Sequence, residues 1–388
     1  MRATAPSPAP CLLPVLCPLS ELPIRIVHPY GVSGGTFSSL TARGTGSVKK
    51  LLLTVITALL LTAASAWAGP FEDGAAADSR GNYSDAVRWY RQAADQGDAK
   101  AQNSLGAMYY NGRGVTQSYD EAVKWYRLAA AQGLADAQIR LGLMYEQSRG
   151  VPQDYAEAVK WFRMAAAQGN AVAQDSLGVM YSNGQGVTRD YAEAAKWYRL
   201  AAAQGVSSSQ NSLGFMYEQA HGVTQDDTEA AKWYRMAAEQ GVGSAQASLG
   251  LMYQQGRGVA QDDTEAVKWL RLAAAQGIAS AQNGLGFMCE QGRGTAQDDG
   301  EAAKWYRLAA AQGVASAQGS LGRKYLNGEG VTQDNARAYM WFNLAGVSGD
   351  ADATKNRDSV AGQMTPQQVA QAQKMTRDCQ QRRFKGCD

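Results

Sequence analysis

Tryptophan returns every 36 residues for eight turns of this 388-residue chain, at Trp89, Trp125, Trp161, Trp197, Trp233, Trp269, Trp305 and Trp341. A fixed period of roughly 20–50 residues marks one supersecondary unit that cannot bury its apolar face alone and therefore stacks on copies of itself. Such a stack offers a long surface more readily than a deep reaction pocket, so the period narrows function along with fold.

Each unit reads as two helices. In the copy that opens at residue 98, Ala101, Leu105, Met108 and Tyr109 fall at i, i+4, i+7 and i+8, one face of a first helix, helix A. Gly106 interrupts that helix at a cost of about 1 kcal/mol. It nevertheless recurs as Gly142, Gly178, Gly214, Gly250, Gly286 and Gly322, so the backbone of another helix is expected to pass too close for a side chain. Helix A stops at a turn from Asn111 to Val115, in which Gly114 has an equivalent in every full unit while Gly112 gives way to Ser148 and Ala220. Helix B opens on a cap: Ser118 with Glu121, Asp154 with Glu157, and their equivalents through Asp298 with Glu301 have the spacing of a capping box. Its buried stripe is Ala122, Trp125, Tyr126, Ala129 and Ala130, which places Trp125, Trp161, Trp197, Trp233, Trp269 and Trp305 in the core between repeats.

The chain ends depart from the register. Seven of the ten prolines lie between Pro6 and Pro29, and residues 1–47 read as a mis-assigned, disordered extension ahead of a start at Val48. Val48-Lys49-Lys50, the apolar run Leu51 to Ala64, and Ala66-Trp67-Ala68 then have the order of a secretory signal over 48–68, cleaved after Ala68. Left uncleaved, the same segment is nearly long enough to anchor in a bilayer. Without residues 1–68 the chain carries 32 Lys and Arg (37 less 5) against 34 Asp and Glu (35 less 1). It has no polybasic segment to hold nucleic acid and no later run suited to stable membrane insertion, so the expected location is periplasmic or secreted.

The repeats are expected to span 69–362, with a capping helix and tail over 363–388; Thr365-Pro366 starts that helix, whose polar, Gln-rich sequence would cover the last hydrophobic face. Cys289 takes the slot of Tyr109 and reads as a small core group. Cys379 and Cys387 would stand about 12 Å apart on a continuous helix, beyond the ~7 Å limit for a disulfide. They can pair only if the helix ends near Arg383 and the chain turns at Gly386.

The run from Ala173 to Gly205, with Ala-Gln, Leu-Gly-x-Met-Tyr, Gly-x-Gly-Val, Glu-Ala, Lys-Trp-Tyr-Arg and Ala-Ala-x-Gln-Gly in order, resembles the Sel-1-like repeat, a longer relative of the tetratricopeptide repeat. The resemblance extends over residues 70 to 362. It implies an all-α fold, a right-handed α/α superhelical solenoid of about eight 36-residue helix-turn-helix repeats with a C-terminal capping helix. It also implies work as an adaptor or scaffold in envelope signalling, assembly or host contact. Some cysteine-rich secreted members have been called penicillin-binding or β-lactamase-like, but this chain lacks their pair of cysteines in each repeat.

Residues able to carry catalysis are sparse. His221 is the one histidine after residue 68, and it sits in the turn slot held elsewhere by Arg113, Arg149, Arg257 and Arg293, where an exposed turn residue is expected. One histidine and three scattered cysteines suit no metal site. The capping acids at the B-helix starts recur in six copies, five as Asp with Glu and one as Ser118 with Glu121, which fits helix capping rather than a single acid–base pair. Lys124 and Arg127 begin a basic row along helix B, offset by acids one turn earlier, and read as a solvated face.

The opposite face of helix A carries Asn103, Ala107 and Tyr110. At the slot of Ala107 the copies hold Leu143, Val179, Phe215, Leu251, Phe287 and Arg323, flanked by Asn211, Glu218, Asn283 and Glu290. This lengthwise row suits the inner groove of a superhelix. The competing reading is that these residues pack only against neighbouring A helices. The expectation is therefore a monomeric, non-catalytic scaffold without cofactor or metal, which binds a protein or peptide partner along that row; a cell-wall-directed or β-lactamase-like hydrolase is the alternative.

Overall fold

The computed structural model describes residues 69–384, 386 and 387, and the expected extension, signal and cleavage point lie outside them. The described residues contain helices and no strand. The helices run in pairs: α1 (Pro70–Ser79) with α2 (Tyr83–Asp95), α3 (Ala99–Asn111) with α4 (Tyr119–Ala131), α5 (Ala135–Glu146) with α6 (Tyr155–Ala167), and α7 (Ala171–Asn183) with α8 (Tyr191–Ala203). They continue as α9 (Ser207–Glu218) with α10 (Asp227–Glu239), α11 (Gly243–Gln255) with α12 (Asp263–Ala275), α13 (Ala279–Gln291) with α14 (Asp299–Ala310), and α15 (Ala315–Asn327) with α16 (Asn335–Val347). Last come α17 (Ala351–Ala361) and α18 (Pro366–Gln381). Each B helix packs on the A helix of its own pair and on the next A helix, which makes an α-solenoid. The A helices α7 and α9, and α11 and α13, also touch, whereas successive B helices do not approach as closely. The A helices therefore lie on the inside of the curve.

Local chemistry sets the helix ends. Ser118, Asp154, Asp190, Asp226, Asp262 and Asp298 each accept the backbone N–H of the Glu three residues on. The return half of the expected capping box is absent there, because that Glu turns to the Lys three residues further on, as in Glu193 with Lys196 at 2.7 Å. Glu265 and Glu301 also accept the indole N–H of Trp269 and Trp305, at 3.0 and 2.8 Å. The complete box is at Thr365 and Gln368, ahead of α18.

The glycine inside helix A is explained by a ring rather than by a backbone. A Cβ on Gly106 would lie 2.7 Å from Tyr126, and Phe162, Tyr198, Tyr234, Tyr306 and Phe342 bear on the equivalent glycines in the same way. These rings are the large buried groups of the B helices, at most 5 % exposed, and each contributes on the order of 1.5–3 kcal/mol by burial. That register corrects the expectation for tryptophan. Trp125, Trp161, Trp197, Trp233 and Trp305 are half-buried; Trp269 and Trp341 are buried. Standing one residue before the inward ring, Trp125 packs at the seam with the preceding repeat, against the cluster that contains Ala86, Leu105 and Met108, and keeps one side in water. Trp341 is covered because α18 lies on α16.

A ladder of buried glutamines ties the repeats together. Gln102 donates to the Ala94 carbonyl on the preceding B helix, and its own carbonyl accepts from Gln132, 2.8 Å away at the end of the following B helix. The same rung recurs at Gln138 with Gln168, Gln174 with Gln204, Gln210 with Gln240, Gln246 with Gln276, and Gln282 with Gln312. At the end of the series Ser348 stands in the donor slot, and the carbonyl of fully buried Gln318 has no partner. Ser348→Gln is expected to complete that rung and stabilise the protein by about 1 kcal/mol, read as a higher urea midpoint. An unchanged midpoint would show that the rungs contribute nothing net.

The C-terminal helix does not continue the stack as a regular B helix. α18 packs on α16 through Ala372, Thr376 and Cys379, and Met340 and Leu344 of α16 are buried where Lys304 and Leu308 of α14 are exposed. It ends at Gln381; Arg383, Phe384 and Gly386 turn back with positive φ, and Cys387 is joined to Cys379 with their Cα atoms 5.2 Å apart.

Candidate functional site

Three cavities lie along the inner face of the A helices. The first, ≈120 Å³, is lined by Tyr110, Tyr126, Arg140, Leu143, Met144 and Gln147. Another, ≈330 Å³, holds Asn211, Phe215, Tyr191, Tyr198 and His221, with Ser182 and Ser212. A third, ≈510 Å³, is formed by Leu251, Asn283, Phe287, Tyr306 and Ser320 with their neighbours. The structure thus places Leu143, Phe215, Asn211, Leu251, Asn283 and Phe287 of the expected row in cavity walls, with Phe215 47 % and Phe287 38 % exposed. Val179 instead packs against the cluster of Ala194, Tyr198 and Leu213, and the Arg323 guanidinium bonds Ser320 at 2.9 Å.

The flanking acids are already engaged. Glu218 accepts from Tyr234 at 2.8 Å and pairs with Arg257; Glu290 accepts from Tyr306 at 2.8 Å and pairs with Lys324. Burial, reinforced by these carboxylates, raises both tyrosine pKa values. Glu146 occupies the same slot, but Phe162 stands where those tyrosines would be. Its carboxylate accepts no hydroxyl, and burial raises its pKa.

In five of the repeats the turn residue is paired with the first residue of the preceding B helix. Arg113 lies over the Tyr83 ring at 5.4 Å and Arg149 over Tyr119 at 5.8 Å. His221 stacks on Tyr191 at 4.8 Å, with the Phe215 ring edge-on at 5.5 Å. Arg257 and Arg293 instead bond Asp227 and Asp263, at 2.9 and 2.7 Å. His221 is therefore a half-buried member of an aromatic group rather than an exposed turn residue. In the next rung both partners are acidic, Asp299 and Glu329, and Lys324 replaces the methionine of the A helix to bridge them at 2.8 and 3.0 Å. Lys324 is 1 % exposed; burial alone would lower its pKa, but Asp299, Glu290 and Glu329 together raise it.

Two features escaped the sequence reading. The first is Lys324, whose signal was a charge in a slot that holds Met108, Met144, Met180, Met216, Met252 and Met288 elsewhere. The other is a second apolar row, on the B helices: Leu128, Met164, Leu200, Met236, Leu272 and Leu308 are all exposed. Its 36-residue recurrence was visible, hidden only by counting one stripe per helix. The arginines of the basic row mostly hold the next A helix, as Arg199 does by donating to the Tyr217 hydroxyl at 3.0 Å.

Among the described residues no group of three or more His, Cys, Asp or Glu is arranged to hold a metal, and no helix is long and apolar enough to cross a membrane. Eight consecutive segments match the Sel1 repeat: 64–98, 99–134, 135–170, 171–206, 207–242, 243–278, 279–314 and 315–350. The chain belongs to the Sel1 repeat family. A Sel1 repeat protein from Oxalobacter formigenes is 36 % identical over 73 % of this chain and 80 % of its own, with a TM-score of 0.55. A protective antigen of uropathogenic Escherichia coli displaying this fold is 34 % identical over 76 % and 79 %, with a TM-score of 0.39. The immunity protein Pa5087 from Pseudomonas aeruginosa is 22 % identical over 56 % and 83 %, with a TM-score of 0.34. No curated protein matches the chain. Sel1 repeats are in general non-catalytic scaffolds for protein–protein interaction.

Proposed function

We propose that this Sel1 repeat protein is a monomeric, non-catalytic scaffold acting outside the cytoplasm, which holds a protein partner along the inner face of its A helices. The observation that carries the reading is the series of three cavities on one face, each built around residues of the apolar row, with Phe215 and Phe287 exposed as anchors. The Cys379–Cys387 bond supports an oxidising compartment, as does the expected signal over 48–68.

The double variant Phe215→Glu with Phe287→Glu is expected to keep its helical circular dichroism and to lose at least about 2 kcal/mol of partner affinity, read by capture from an envelope extract. Equal capture by variant and parent would rule out this face. Turnover of a β-lactam or a peptidoglycan fragment, abolished by His221→Ala, would overturn the non-catalytic reading.

A further inference from the structure

We infer that the third cavity of the inner groove seats an uncharged aromatic side chain of the partner, of the phenylalanine type, an inference that rests on the docking role proposed above. The inward ring slot of the B helices, aromatic in every other repeat from Tyr90 to Phe342, holds Leu270 in α12. The partner of that ring is lost as well. The hydroxyls of Tyr90, Tyr198, Tyr234 and Tyr306 each bond the serine fourteen residues on, as Tyr234 does Ser248, whereas the residue fourteen after Leu270 is Gly284. A glycine inside a helix weakens it, and no neighbour requires this one. The nearest atoms to a Cβ on Gly284 are methyl groups of Leu270 and Leu251, at 3.4 and 3.5 Å, which is ordinary contact. Ring and hydroxyl are thus missing together, and hydrocarbon is left where neighbouring repeats carry a tyrosine–serine pair.

The ≈510 Å³ cavity runs over Gly284, from Leu251 and Gln254 of α11 to Tyr306 of α14. About 150 Å³ is enough to hold a benzene ring. Phe287, 38 % exposed, supplies an aromatic wall on which a second ring can pack edge-on or offset. A leucine-sized group would leave part of the space empty and forgo that contact. None of the residues around the cavity is Asp, Glu, Lys, Arg or His, and the Tyr306 hydroxyl is already bonded to Glu290. A carboxylate or an ammonium placed there would lose water without gaining an opposite charge. The other two cavities differ in this respect, since Arg140 lines the first and His221 the second. Leu251 and Phe287 belong to the apolar row, so a ring seated against them lies on the face that docks the partner. Asn283 and Ser316 at the same cavity suit the peptide groups that flank the bound ring.

The test uses the full chain and N-acetyl-4-fluorophenylalanine N-methylamide, followed through the broadening of its fluorine resonance. Broadening should saturate, and should be reversed by the unlabelled phenylalanine compound but not by its glutamate or leucine counterparts at equal concentration. The variant Leu270→Tyr with Gly284→Ser restores the pair that other repeats carry, and the restored ring would rest on Gly250 as Tyr234 rests on Gly214. It should weaken probe binding about tenfold or more, while its melting temperature stays unchanged or rises. Gly284→Ser alone, which adds a group that Ser248 and Ser320 already carry at this slot, should keep the fold and show a smaller loss. Because filling the cavity improves packing, a loss of binding in these variants is not a loss of structure. Equal displacement by the glutamate or leucine compound, no saturable broadening, or undiminished binding in either variant overturns the seat. Partner capture that is lost with Phe215→Glu and Phe287→Glu but unaffected by Leu270→Tyr with Gly284→Ser removes the aromatic anchor and leaves the docking face standing.

Discussion

Gly186→Ala should destabilise the protein by about 3 kcal/mol or more, while Gly184→Ala, two residues earlier, costs only about 1 kcal/mol. Both glycines have positive φ, 69° and 72°, so each alanine incurs the left-handed penalty. Their surroundings differ. At Gly184 the nearest atom to an added Cβ is the Arg189 Cβ at 3.1 Å, whereas at Gly186 it is the Tyr155 backbone, with C and O both at 2.3 Å. Backbone cannot rotate away, so the turn before α8 would have to lift off the first turn of α6. The chain already tolerates Ser148 and Ala220 at the looser slot, both with φ 56°. Because the clash lies between neighbouring repeats, the urea transition should also broaden as the stack uncouples there. Equal midpoints for the two variants would refute the account.

Lys324→Met should cost about 2 kcal/mol at neutral pH, even though methionine is what the other A helices carry at that slot. Removing the ammonium leaves Glu290, Asp299 and Glu329 facing one another, with Glu290 only 16 % exposed. The figure is set below that for a fully buried pair because Asp299 and Glu329 are 33 % and 43 % exposed. The bond from Lys324 lowers the Glu329 pKa, so this contribution is present above the ordinary carboxylate range and lost as pH falls through the depressed value. The difference between parent and variant, followed by thermal melts, should therefore narrow towards about pH 3, near the lower end of the carboxylate range. Adding Asp299→Asn and Glu329→Gln should recover most of the loss. A gap that is independent of pH would mean that packing, not charge, holds Lys324 in place.

Much of the fold was legible because the repeat presents the same local chemistry many times. Gly114 and its equivalents, the Asp caps and the alanine stripes each state a rule of one turn or one helix face, and the structure obeys them. Where a rule depended on the neighbouring repeat, reading failed. The tryptophans were placed fully inside because periodicity cannot separate a residue aimed into its own hairpin, such as Tyr126, from one leaning on the seam, such as Trp125. Glycine in helix A signalled a close approach but could not say that a ring makes it. The path of the last helix was likewise hidden, since a Gln-rich sequence does not specify which face of α16 it covers.

The candidate groove divides in the same way. Spacing alone collected Leu143, Phe215, Leu251 and Phe287 into one row, because residues 36 apart occupy one slot and one face. It could not tell that Val179 is spent on packing, that Arg323 is tied to Ser320, or that His221 stacks on Tyr191 beside Phe215. By itself the sequence determined the period, the helical hairpin and the inward-facing row, all of which follow from contacts within one unit. Only the tertiary structure decided which members of that row line cavities, which tryptophan sides meet water, and which polar groups, the Gln318 carbonyl among them, lack partners. The physical reason is that burial and hydrogen-bond satisfaction are set by what the adjacent repeat brings, and each repeat brings slightly different side chains to the same slots.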